Sequence, residues 1–157
     1  ICECVKMRDN IILNWGEIEK TIIKLSRELE DKNIDVIIGI SRGGVIPAGL
    51  LTILLGVKEY YTIKIRRYSD DKPPRELSKP EVNYSPLNLE GKNVLIVDDV
   101  THTGETLRLA KKIVEKMKPR KVYTLALVLR LPADYEPDFY GLAVDKCPIF
   151  PWERFIT

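Results

Sequence analysis

The stretch from Asn93 to Leu107 carries the densest set of groups able to do chemistry. Asp98 and Asp99 stand side by side at the end of an apolar run, Val94 to Val97, and a loop of small and polar residues follows: Thr101, His102, Thr103, Gly104. The run is short and β-branched enough to read as a strand buried on both faces. Beyond the loop, Leu107, Ala110, Val114 and Met117 fall at helical spacing. A strand, a Thr/Gly turn and a helix start bring backbone N–H groups and a helix dipole to one point, which is a site for phosphate. The carboxylates cannot hold phosphate themselves. They suit hydroxyls or a divalent metal, and a phosphate pocket beside hydroxyl acceptors describes a sugar phosphate. The plainer alternative is a strand end with two solvated aspartates, and it leaves Thr103-Gly104-Glu105-Thr106 without a purpose.

A second group of candidates is Ser41-Arg42-Gly43-Gly44. It offers consecutive N–H groups with little steric cover and one guanidinium, which suits a pyrophosphate. Alone it would read as a tight turn, but a buried strand, 35–40, precedes it and a helix, 45–55, follows. The elements that must position both groups can be read in order. A helix spans 15–32 with Asn14 as its N-cap, 60–68 alternates as a strand, and 121–129 is another buried strand. Strands alternating with helices predict a parallel sheet flanked by helices, with right-handed crossovers. Ligands sit at the carboxyl ends of such strands, where Ser41, Asp98 and Arg130 all fall. Two segments lack a period. Residues 68–90, with Pro73, Pro74, Pro80 and Pro86, read as a mobile lid loop, and 130–157 as an irregular tail.

Bulk properties narrow the classes. A chain of 157 residues, 45% hydrophobic, fits one domain, 1–157, with a real core. A net charge of +2 from well-mixed residues argues against nucleic acid as a partner. No apolar run approaches membrane-spanning length, and the first residues lack a secretory signal pattern. Cys2, Cys4 and Cys147 form an odd set that fits a reducing, cytoplasmic setting better than a disulfide framework. Cys2 and Cys4 have no second Cys/His pair to complete a zinc site, so residues 1–12 read as a frayed or extended N-terminus.

The run from Asn93 resembles the phosphoribosyl-pyrophosphate (PRPP) signature of the type I phosphoribosyltransferases: apolar strand, two acidic residues, then Thr-Gly-x-Thr. Within that family, Ile40 to Ala48 is similar to the pyrophosphate loop of the xanthine-guanine enzymes. Tyr68, Arg75-Glu76-Leu77 and Pro151-Trp152-Glu153 match them too, and the similarity spans Asn14 to Phe155. The resemblance implies an α/β fold of the type I phosphoribosyltransferase kind, with a small hood made by 130–157. It implies transfer of the phosphoribosyl group of PRPP to a purine, Mg²⁺ as cofactor, and a homodimer or higher homo-oligomer. It also implies a cis peptide bond at Ser41–Arg42. By the same resemblance, Asp98 and Asp99 would hold the ribose hydroxyls, Asp99 also meeting the metal. Thr101, Thr103, Gly104, Glu105 and Thr106 would surround the 5′-phosphate. Ser41, Arg42, Gly43, Gly44 and Arg75 would take the pyrophosphate, and Tyr68 is either a site residue or a packed strand-end aromatic.

The chain departs from the family where the base should bind. His102 stands in place of an aspartate that meets purine N7, and an imidazole can donate or accept there. Arg130 replaces a lysine that meets the exocyclic oxygen; being a donor only, it favours a carbonyl at C6 over the amino group of adenine. Cys147, followed by Pro148 and Ile149, aligns with the base-stacking tryptophan, so Phe139, Tyr140, Phe150 or Trp152 must supply the ring or it is lost. A 6-oxopurine is the expected acceptor. Adenine transfer and a non-catalytic PRPP- or nucleotide-binding regulator are the alternatives.

Overall fold

In the computed structural model, residues 9–71 and 75–155 are described; the expectation for residues 1–8 lies outside them. The chain runs β1 (Asn10–Ile12), α1 (Trp15–Leu29), β2 (Val36–Ser41), α2 (Val45–Leu55), β3 (Glu59–Tyr68), β4 (Glu76–Asn83), β5 (Asn93–Thr101), α3 (Glu105–Glu115), β6 (Lys121–Arg130), β7 (Phe139–Val144) and β8 (Cys147–Ile149). Short 3₁₀ turns follow α1 at Glu30–Lys32 and β8 at Pro151–Phe155. A six-stranded sheet has the order β4-β3-β2-β5-β6-β7, with β3–β4 its one antiparallel pair.

The apolar runs are continuous because both faces of the sheet are covered. In β2, Ile37 faces α1 and α2, whereas Val36, Ile38 and Ile40 face α3. In β5, Leu95 and Val97 take the first side and Val94 and Ile96 the second. All of these are buried, and each contributes about 1.5–3 kcal/mol relative to exposure. Helix α1 starts where expected. Asn14 Oδ1 accepts from Glu17 N–H at 2.9 Å while the Glu17 carboxylate accepts from Asn14 N–H at 2.7 Å, a reciprocal cap that satisfies two of the helix's orphan donors.

Two expectations are corrected. The 68–90 segment is not simply a loop, since β4 pairs with β3 in antiparallel register with a bulge between Arg66 and Tyr68. Nearly every β4 residue is exposed, so no hydrophobic period marks it, and Pro80 is tolerated because the strand is at the edge. The tail is not irregular throughout either: β7 adds a parallel strand to the sheet beside β6. Of the two expectations for the N-terminus, frayed or extended, residues 10–12 take the extended one, as a strand paired with β8 in a separate two-stranded sheet. Among the described residues no helix is long and apolar enough to cross a membrane.

Candidate active site

Strands β2 and β5 are neighbours, yet the chain leaves β2 toward β3 and leaves β5 toward β6 on the opposite side. A crevice opens at the carboxyl ends where strand order reverses in this way. It is a cleft of roughly 670 Å³. Ser41, Arg42 and Gly43 line it from the β2 end, Asp98 through Thr106 from the β5 end, and Arg130 from the end of β6. Among the expected residues, Asp98, Asp99, Thr101, His102, Thr103, Gly104, Glu105 and Thr106 therefore share one cavity with Arg42, and Tyr68 lines it too.

Strand β5 runs on through both carboxylates to Thr101. Alternation along it sends Asp99 to the α1/α2 side and Asp98 to the α3 side. Asp99 lies against the Arg-Gly-Gly loop: a Cβ on Gly43 would come 1.9 Å from Asp99 Oδ2, and one on Gly44 would come 2.4 Å from the Val97 carbonyl oxygen. These glycines permit loop and strand to touch. The Ser41–Arg42 peptide is cis.

Each aspartate accepts the N–H that follows it, Asp98 from Asp99 at 2.9 Å and Asp99 from Val100 at 2.8 Å. Burial pushes the Asp98 carboxyl well above its ordinary value, and the Asp99 charge adds to the rise. Burial raises Asp99 as well. The pair is thus held charged only at a cost, which hydroxyls or a cation in the cleft would offset. Among the described residues no three His, Cys, Asp or Glu groups converge on one point. Two adjacent carboxylates without a third ligand fit a Mg²⁺ that keeps its waters and arrives with substrate phosphates, not an all-protein cage.

The loop after β5 turns at Gly104, whose φ of 79° is left-handed and whose missing Cβ would lie 2.2 Å from Tyr135. Helix α3 begins at the next residue, so the N–H groups of its first turn and its positive dipole end face the cleft.

On the base side, His102 Nδ1 lies 3.2 Å from the backbone carbonyl oxygen of Arg130. A carbonyl only accepts, so Nδ1 carries the hydrogen. In the neutral ring Nε2 is then the acceptor. Arg130 itself is buried, with 8% exposed, at the cleft wall.

Other expected residues stand elsewhere. Gly44 supports the loop from behind rather than lining the cleft, and Arg75 is exposed and paired with Asp71 at 3.2 Å. Cys147, Pro148 and Ile149 form β8 against β1, outside the cleft lining. Cys147 is fully buried and disulfide-bonded, against the expectation of a reducing setting in preference to a disulfide framework. Nor does a substitute ring from the tail line the cleft among the described residues: Phe150 stacks on Trp152 at 4.7 Å and Phe139 packs on Tyr123 at 5.9 Å. Among the described residues Tyr68 is the only aromatic lining the cleft. Lys64, Arg66, Arg67, Asp70 and Glu76 also line it and were not foreseen. Their sequence signal was the Arg66-Arg67 doublet before Tyr68, which reads as an ordinary solvated strand end.

The phosphoribosyl transferase domain matches residues 9–157 of the chain. Over 144 residues the chain is 38% identical to the bifunctional protein PyrR of Microcystis aeruginosa, covering 83% of this chain and 80% of that protein. Over 148 residues it is 25% identical to a xanthine-guanine phosphoribosyltransferase of Cereibacter sphaeroides, covering 90% and 85%. Its fold superposes on the purine phosphoribosyltransferase of Pyrococcus horikoshii Ot3 with a TM-score of 0.81 and 31% identity, over 92% of this chain and 93% of the other.

Proposed function

The chain belongs to the phosphoribosyl transferase family, and from that premise we propose that it transfers the 5-phosphoribosyl group of PRPP to a 6-oxopurine: hypoxanthine, guanine or xanthine. The observation that carries the base assignment is the bond from His102 Nδ1 to the Arg130 carbonyl. It fixes an acceptor, His102 Nε2, in a cleft that is also lined by Arg130, whose guanidinium only donates. That pair complements a purine edge bearing an N7–H donor and a C6 carbonyl acceptor. Adenine presents an amino group at C6 and would face donors with a donor, leaving buried polar groups unpaired.

Asp98 and Asp99 hold the ribose hydroxyls, and the first turn of α3 with the Thr103 and Thr106 hydroxyls holds the 5′-phosphate. Arg42 and the Ser41–Gly43 loop hold the pyrophosphate, and Arg75 reaches it when the β3–β4 end moves inward. Asp99 would hold Mg²⁺, which when bound would neutralise charge on the leaving group. Purine N9 forms its bond to C1 of the ribose as the bond from C1 to the pyrophosphate oxygen breaks. The N7 proton passes to His102 Nε2, and the resulting imidazolium keeps its Nδ1–H on the Arg130 carbonyl. A homo-oligomer completes the reading. Leu50, Ile53 and Leu54 are exposed together on the uncharged helix α2, a face that sedimentation of the purified protein would show to be covered.

The test is incubation with PRPP, Mg²⁺ and each purine base in turn, following pyrophosphate release. Release with 6-oxopurines and little with adenine is expected. The relative named a bifunctional protein leaves room for a role besides transfer, and the second reading is a regulator that binds PRPP or nucleotide without turnover. Tight PRPP binding with no release for any base would select it.

A further inference from the structure

Arg67 on β3 has no role in the assignments above, yet it pairs with two carboxylates from different parts of the cleft. One is Glu76, the first residue of β4, at 3.0 Å; the other is Glu105, the first residue of α3. Ile63 and Ile65 of β3 pack with α3 residues, and through its bond to Glu105 the Arg67 side chain reaches the start of α3. The Arg67 side chain is 22% exposed against 57% for Glu105. Its neighbour Arg66 is occupied by Asp70 and by Glu81 at 2.8 Å.

Glu105 poses a problem for the phosphate loop. It is the one carboxylate between Thr101 and Thr106, and it sits at a helix N-terminus, where a carboxylate is itself a favoured ligand for the free N–H groups and the dipole. Left unpaired, it competes with the incoming phosphate and repels its near-dianionic charge.

Resting on the phosphoribosyltransferase reading, we propose that Arg67 is a positioning residue for PRPP: by holding the Glu105 carboxylate it keeps the anion site at the head of α3 clear and nearly neutral. The bond to Glu76 ties the base of the β3–β4 hairpin to the same loop. Arg67 acts through Glu105 and does not itself grip the phosphate. This separates it from an ordinary phosphate-binding arginine, because its removal is repaired by removing the charge it masks.

The test compares wild type, R67Q, R67K and the double variant R67Q/E105Q. KM and kcat are measured for PRPP and for the base, alongside calorimetric titration with ribose 5-phosphate. R67Q is expected to raise the PRPP KM about tenfold while kcat and the base KM stay within about twofold. R67K, which keeps the charge, should recover part of the loss. The double variant should return the PRPP KM and the ribose 5-phosphate affinity to within about threefold of wild type. A double variant no better than R67Q overturns the proposal, and so does an unchanged KM in R67Q. A wild type that binds neither PRPP nor ribose 5-phosphate overturns the underlying functional reading instead, and this proposal falls with it.

Discussion

The two halves of the cleft are built on different principles. In the proposed reading the phosphoribosyl half uses backbone: the Ser41–Gly43 loop, the turn at Gly104 and the first turn of α3 line the cleft, and only the two aspartates need particular side chains. The proposed base half uses side chains from separate elements, His102 and Arg130, the imidazole being held by the Arg130 backbone carbonyl. A backbone site admits few alternatives, because geometry sets it and glycine is needed at the contacts. A side-chain site can be rewritten residue by residue while the strands beneath it stay in place.

The sharpest way to break this contrast is to attack the shared centre. Replacing Asp98 and Asp99 together by asparagine should lower turnover by about 10³-fold or more, with the circular dichroism spectrum unchanged; near-normal pyrophosphate release would remove both from the ribose. Next, G43A puts a methyl group where Asp99 Oδ2 lies. It should cost about 10²-fold in kcat/KM for PRPP through displacement of that carboxylate. An effect below threefold would show that the loop is free to yield, and the phosphoribosyl half would lose its claim to rigidity.

On the other half, R130Q should shift the preference for hypoxanthine over adenine toward adenine by about tenfold, since an amide offers an acceptor as well as a donor. An unchanged ratio in competition assays would take Arg130 out of the base site. The smallest expected effect concerns stability. Burial raises the Asp98 carboxyl above its ordinary 3.8, so the folded form binds more protons than the unfolded form between that value and the raised one. Stability of the ligand-free protein therefore falls as pH climbs through this window, and the loss persists above it. D98N removes the penalty and should raise Tm near neutral pH by about 3 °C or more. It should also flatten the slope of Tm against pH. A lower Tm would mean that the ionised carboxylate is well satisfied without ligand.

The same contrast explains what could be read from the residue order. The phosphoribosyl half lies in two contiguous stretches, each a buried strand followed by a small-residue turn and a helix, so local pattern reveals it. The N-cap at Asn14 was legible for the same reason. What failed depends on non-local contact. Strand β4 has no buried face to impose a period. Residues 147–149 were assigned to the base by alignment, whereas their backbone is taken up by β1. Arg67 looked like a solvated charge until Glu76 and Glu105, distant in sequence, were seen to meet it.

The small β1–β8 sheet joins the earliest described segment of the chain to one of the last. On the ribosome, residues 10–12 emerge long before residues 147–149 and wait without a partner while everything between them is synthesised. This ladder therefore closes last, after the main sheet has had time to form. A chain stalled short of residue 147 would carry the whole phosphoribosyl half yet leave the edge of β1 open to another molecule.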